Sequence, residues 1–413
     1  MNKASDGIER GTPAYRRLSF ALLAAGLATF ALLYSAQPLL PRFTVEFGVS
    51  PVEASLAVSL ATGPMAVAIL FAAVVSDRVG RGGIMRASLA LSAVLTIAAA
   101  FVPGWTALLA VRALTGLALA GIPAVAMAFI AEEVDASSIG AAMGLYIAGS
   151  AIGGMAGRLG VSFLGELFGW RVAVGVTGAV AALAALVFAA MLPPSRGFVP
   201  VRHDFASWRQ SVGRIFADPA LPLLYAAAFL LMGIFVTVYN YAGFRLLAPP
   251  YALSQSTVGA IFLLYIFGSF SASWVGGLAG TYGRRRIFWM PVVVLLAGVI
   301  LTAAHPLALV ILGIAVVTAG FFGAHSIASS WVSRRARADR GQAAALYLFF
   351  YYLGSSLLGS AGGVAWTRAG WPGVAGFCAV LAAAILVIAW RLSQVPPLPD
   401  NVAVFAGQPA IPA

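Results

Sequence analysis

Charge is what this chain has least of. Of its 413 residues only 9% are charged, and just 13 of those are acidic. An ordinary soluble domain carries about 25% charged residues, and no soluble fold can hide so much apolar surface. Cysteine occurs once, as Cys378 inside an apolar run, which excludes an intramolecular disulfide and makes a thiolate metal centre untenable. Three scattered histidines supply no ligand cluster at a membrane face, so neither a metal site nor a membrane-embedded enzyme is expected. No G-x-x-x-x-G-K-[ST] run is present, which removes nucleotide hydrolysis as an energy source and leaves no cofactor implied.

Apolar sequence fills the space. Hydrophobic residues make up 61% of the chain and mean hydropathy is +0.96. Runs long enough to cross about 30 Å of hydrocarbon recur from Leu18 almost to Arg391. Read against Gly, Pro and charged interruptions, they predict spans near 18–40, 54–75, 84–102, 107–130, 141–164 and 171–192, then 220–247, 257–279, 287–304, 307–332, 342–364 and 373–391. The first run is too long for a signal-peptide core and lacks a small-residue cleavage site, so it is expected to stay as a spanning helix. The expectation is an all-α membrane protein with 12 transmembrane helices in two six-helix halves, 1–193 and 219–395. A cytoplasmic linker, 194–218, joins them, and a cytoplasmic tail, 396–413, follows.

The net charge of +12 comes from short basic clusters between apolar runs, a pattern of membrane topology rather than of nucleic-acid binding. Arg78, Arg81 and Arg86, then Arg196, Arg202, Arg209 and Arg214, then Arg284 to Arg286, then Arg334, Arg335, Arg337 and Arg340 all fall on one side if the N-terminus is cytoplasmic. The positive-inside rule therefore predicts both termini in the cytoplasm. Within the linker, Phe205, Trp208, Val212, Ile215 and Phe216 at helical spacing predict an interfacial helix.

The halves read as copies. GAAMGLY at Gly140 to Tyr146 recurs as GQAAALY at Gly341 to Tyr347, and Gly169-Trp170 recurs as Gly370-Trp371, both at an offset of 201 positions. Asp77 to Arg81 matches Gly280 to Arg284 after a small slip. A parallel repeat of this kind places a substrate site between the halves, near mid-membrane.

Three motifs carry a resemblance. The loop Ser76-Asp77-Arg78-Val79-Gly80-Arg81, with its second copy at Gly276 to Arg286, resembles the signature between helices two and three of the major facilitator superfamily. Leu108-x-x-x-Arg112-x-x-Thr115-Gly116 is similar to the family's fourth-helix motif, and Gly149 to Gly154 to its antiporter motif with Ser150 in place of Pro. Segments around Leu33 to Pro41, Ser137 to Arg158 and Leu192 to Arg196 resemble the YnfM-type group of bacterial inner-membrane exporters, over nearly the whole chain. The resemblance implies alternating access, with Asp77, Arg78, Gly80 and Arg81 as a gating latch. It also implies a cavity lined by helices one, four, seven and ten, which would hold Tyr34, Gln37, Arg112, Tyr239, Asn240 and His325. Small residues at the spacing of Gly149, Gly153 and Gly154 independently fit close helix packing.

Buried cations stand out in a chain whose acids all lie away from the middle of the spans. Arg112 lies seven residues after Trp105, about 10 Å below the outer surface at 1.5 Å per residue. Arg158 sits at a similar depth. An arginine there costs about 2.5–3.5 kcal/mol and must face protein, water or an anion. For Arg112 two readings stay open, contact with substrate or coupling proton, or hydrogen bonding to backbone carbonyls for packing; Arg158 could join it in holding a carboxylate or phosphate, or the two could line a route to solvent. His325 could carry a proton or be a packing residue, and Glu132 and Glu133 could exchange protons or solvate a helix end. The expected activity is secondary transport of a neutral or anionic small organic molecule, as proton-coupled export. Proton-coupled uptake of an organic anion is the alternative. Protons and membrane lipids are the expected partners, and the working unit is expected to be a monomer.

Overall fold

The computed structural model describes residues 7–195, 198, 205–336 and 339–396. The expected tail beyond Pro396, much of the linker before Phe205, and Arg196, Arg202 and Arg337 lie outside the described residues.

The first half runs α1 (Pro13–Tyr34), a 3-10 turn (Gln37–Leu39), α2 (Leu40–Phe47), α3 (Pro51–Val79), α4 (Arg81–Ala99), α5 (Trp105–Leu119), α6 (Ala126–Glu133), α7 (Ile139–Phe168) and α8 (Trp170–Met191). A linker helix, α9 (Phe205–Ala217), leads to α10 (Leu221–Leu247), α11 (Gln255–Gly259), α12 (Tyr265–Tyr282), α13 (Arg284–Ile287), α14 (Trp289–Thr302), α15 (Leu307–Arg335) and α16 (Arg340–Gln394). Ten of the resulting helical spans are long and apolar enough to cross a bilayer. The 55-residue α16 contains two of the expected segments, because Ala369 and Gly370 leave helical geometry in its middle, with Gly370 at φ 58°. The twelve expected segments thus map onto ten long apolar spans, one carrying two segments, plus a broken fourth.

That break corrects the sequence reading, which took residues 107–130 as one continuous helix. Helix α5 stops at Leu119 and α6 starts at Ala126. Pro123 has no N–H to donate and its ring clashes with the carbonyl one turn back, at Leu119, and Gly121 adds no helix preference of its own. The gap is closed by tighter bonds, Ile122 N to Leu119 O at 3.2 Å and Val125 N to Ile122 O at 3.2 Å.

Local chemistry fixes the ends. At α3 the Ser50 hydroxyl accepts from Glu53 N (3.2 Å) while Glu53 accepts from Ser50 N (2.7 Å), a capping box with Pro51 in the first turn. Gly80 and Gly283, at φ 99° and 90°, turn the chain at matching positions of the two halves. A side chain would be strained there.

Glycine also sets the helix spacing. A Cβ at Gly153 would fall 2.1 Å from Leu27 O, and one at Gly149 would fall 2.6 Å from Leu23 O, so α1 and α7 touch backbone to backbone. A Cβ at Gly354, 201 positions after Gly153, would fall 2.0 Å from Phe229 O in the equivalent pair, α10 and α16. The repeat is therefore present in packing as well as in sequence.

Loops alternate between a basic end, which carries Arg78, Arg81, Arg86, Arg284 to Arg286, Arg334 and Arg335, and an opposite end. The halves join toward the opposite end. There Gln255 donates to Pro38 O (2.6 Å), Ser256 N donates to Glu166 (2.6 Å), and Ser59 bonds Ser356 O (2.8 Å) and Ser360 (2.7 Å). The face of α3 that meets α16 at Ser55, Ser59 and Gly63 continues at helical spacing to Val67 and Phe71, which are 46% and 65% exposed. Past Gly63, then, this face of α3 leaves its partner as it approaches the basic end.

Candidate functional site

The breaks that end α1 bring its last residues to the boundary between the halves. Tyr34, the last residue of α1, and Gln37, in the turn that follows, are both buried there. Pro38 cannot continue the helical hydrogen bonding, so Gln37 is free to aim its amide sideways. Its Oε1 accepts from Arg158 Nε of α7 at 2.6 Å, and its Nε2 donates to Asn240 Oδ1 of α10 at 2.8 Å. One glutamine thus ties a buried arginine of the first half to a buried asparagine of the second.

Arg158 is 3% exposed and belongs to none of the ion pairs among the described residues. Its Nη1 donates to Gly154 O at 2.5 Å. The guanidinium carbon lies 4.2 Å from the centroid of Tyr34, 5.2 Å from Phe262 and 5.3 Å from Tyr265, within cation–π range of all three rings. Around this cage, among the described residues, Tyr265 Oη and Asn240 Nδ2 are buried without a hydrogen-bond partner, and the Tyr34 and Ser355 hydroxyls have none beyond each other. Each such atom costs about 1–3 kcal/mol unless something else satisfies it.

The second half supplies an aromatic wall. Tyr239 stacks on Phe262 (5.3 Å, 20°) and its hydroxyl pairs with Thr318 (2.8 Å). Half-buried His325 is bonded through Nδ1 to the Tyr347 hydroxyl (2.8 Å), stacks on Phe321 (5.8 Å, 8°) and lies 4.9 Å from the Tyr351 ring. Tyr34, Gln37, Arg158, Tyr239 and Asn240 are thereby brought together. His325 stands farther along the same wall, linked to Tyr239 through Phe321 and Phe235.

Arg112 is placed differently. Its Nε donates to Ala57 O (2.8 Å), Nη1 to Leu32 O (3.1 Å) and Nη2 to Leu33 O. Leu32 and Leu33 lie in the last turn of α1, whose carbonyls lack helical partners and carry the negative end of the helix dipole. Arg112 closes that end, which explains its burial without a ligand.

At the basic end the latch residues form a network within the first half. Arg81 pairs with Asp77 (2.8 Å) and, through two nitrogens, with Glu132 of α6 (2.6 and 2.5 Å), and also bonds Ser76 (3.1 Å). Arg78 is exposed, and Gly80 supplies the turn. Glu132, which the sequence left between proton exchange and helix-end solvation, is the ion-pair partner of Arg81. Gly149 and Gly153 face α1, while Gly154 lends its carbonyl to Arg158. The sequence reading did not select Phe262 or Ser355. The spacing of Phe262 and Tyr265, three apart on one helical face, was the available signal for the first, and nothing marked the second.

Two helical halves, close-packed through glycine and meeting at a buried polar and aromatic site, define a polytopic membrane transporter. Comparison makes this specific: the model of the Major Facilitator Superfamily matches residues 18–357, and the chain belongs to that family. It is 42% identical to the MFS-type transporter YybF of Bacillus subtilis, over 95% of this chain and 98% of that one. It is likewise 42% identical to the inner membrane transport protein YnfM of Escherichia coli, over 95% and 94%. Among solved structures, the nucleoside transporter NupG superposes with a TM-score of 0.73 at 18% identity, covering 90% of this chain and 99% of that one, a likeness of fold.

Proposed function

We propose that the chain exports a small organic anion across the bacterial inner membrane by alternating access, driven by the proton gradient, with Arg158 as the charge that receives the substrate. The observation that carries this reading is the Arg158 cage: a buried guanidinium at the boundary of the halves, without an acidic partner among the described residues, beside the unpartnered Tyr265 hydroxyl and Asn240 amide. A carboxylate placed there accepts from the guanidinium and from the Tyr34 or Tyr265 hydroxyl, and the surrounding rings cover a flat or apolar body. Because Gln37 bridges Arg158 and Asn240 across the halves, a ligand that competes for either residue changes the contact holding the opposite end shut. Arg112, held by backbone carbonyls, leaves the substrate role to Arg158.

The basic end faces the cytoplasm, as the positive-inside rule requires, and YnfM's description as an inner membrane protein supports the location. Asp77, Arg81 and Glu132 hold the gating loop, His325 with Tyr347 is the candidate proton site, and one chain, holding both halves of the site, is the working unit.

The test is uptake into inverted proteoliposomes under an imposed pH gradient, comparing anionic, neutral and cationic compounds. Arg158→Gln is expected to lower transport of anions about 10- to 100-fold, the worth of one buried charge-assisted hydrogen bond. Movement of cations alone, at wild-type rate in Arg158→Gln, would overturn the reading.

A further inference from the structure

The two copies of the gating loop have taken opposite charge balances. In the first, Arg81 is neutralised by Asp77 and Glu132. In the second, Gly280 stands at the position of Asp77, and Arg284, the counterpart of Arg81, turns its Nε to the Ser330 hydroxyl of α15 at 3.1 Å, where Arg81 turned its own to a carboxylate. Position 334, one turn on from Ser330, is a further arginine, and it lines the same cavity as Arg284.

These changes open onto a cavity of about 750 Å³ at the basic end, lined by Arg284, Arg285, Arg286, Arg334 and Arg335 with Trp289. Arg335 is committed to Asp218 (2.6 Å) and Arg285 donates from Nη2 to Ser393 O, but among the described residues Arg285 Nε is buried without a partner. Tyr282 and Trp289 stand at the rim, 60% and 51% exposed, where α12 ends and α14 begins. Exposed aromatic rings at the ends of apolar helices sit at headgroup depth.

We infer that this cavity binds the phosphate of an anionic phospholipid of the adjoining leaflet, which supplies the negative charge that the second loop copy has lost. Basic pockets between helices at this face suit anionic headgroups, and arginine forks match phosphate oxygens. The aromatic rim favours a lipid over a free phosphate ion, because it places acyl chains beside apolar helix surface.

Native mass spectrometry of the full chain, titrated with phosphatidylglycerol and phosphatidylcholine, tests this. Wild type and Arg368→Gln, which removes an arginine from the opposite end, are expected to retain phosphatidylglycerol about tenfold over phosphatidylcholine. The preference is expected to vanish in Arg285→Gln/Arg334→Gln. Gly280→Asp keeps every arginine, and a Cβ there meets nothing within 4 Å, so the chain should fold; restoring the lost acid should weaken the preference as well. Equal retention of both lipids by wild type, an unchanged preference in both variants, or displacement of the lipid by inorganic phosphate would overturn the assignment.

Discussion

Arg112 and Arg158 are both 3% exposed and both lie within apolar helices, yet their surroundings divide them. Three main-chain carbonyls claim Arg112, whereas Arg158 bonds one glutamine and one carbonyl and otherwise faces rings. Replacing Arg112 by Met should therefore act on stability. Uncovering the carbonyls that end α1 should cost about 2–5 kcal/mol, read as a lower unfolding temperature in detergent. The protein that remains folded should keep its substrate KM. The sequence made both arginines visible as costly buried charges. It could not separate them, because the carbonyls that hold Arg112 come from two other helices and carry no side-chain signature.

At the scale of elements, contacts between backbones and between charges decide the assembly. Gly153→Val would place a branched side chain against Leu27 O, where even a Cβ comes to 2.1 Å, so α1 and α7 must part. The expected loss is about 1–3 kcal/mol or more, seen in thermal unfolding. The linker helix α9 is fastened by Arg214 to Asp339 at 2.8 Å and by Ser211 to the same carboxylate at 2.6 Å. The Arg214 guanidinium, ahead of the Ser211 hydroxyl, holds the Asp339 carboxyl below its ordinary value of 3.8. A folded value below the unfolded one means that this fastening is fully present above the unfolded value and is lost as pH falls through the folded one. Protection of the α9 amides, taken as hydrogen exchange relative to the intrinsic rate at each pH, should thus be level near neutrality and fall below about pH 3.8, and Asp339→Asn should remove that dependence. Periodicity in Phe205 to Phe216 foretold a helix here, because apolar spacing is local information. The break in the fourth helix was equally local, and Pro123 with Gly121 was a sufficient signal for it.

Across the whole molecule, the offset of 201 positions in the sequence reappears as Gly153 on Leu27 and Gly354 on Phe229, so the two-half architecture was legible from the chain alone. What was not legible was how the halves meet, because Gln37 and Asn240, or Ser59 and Ser360, are more than 200 positions apart and pair only after folding. These contacts close the end opposite the basic one, and the proposed alternating access would require them to break. Ser59→Cys/Ser360→Cys, whose native hydroxyl oxygens are 2.7 Å apart, should cross-link under oxidation, abolish transport and recover with reductant. Cys378, the single native cysteine, is buried and should not interfere.

Anion transport by Arg158 variants in proteoliposomes under an imposed pH gradient bears most directly on the central claim. Organic anions should move in wild type, Arg158→Gln should lower their flux about 10- to 100-fold while leaving the protein folded, and Arg158→Lys should restore part of it. Undiminished anion flux in folded Arg158→Gln would mean that Arg158 is not the charge that receives the substrate.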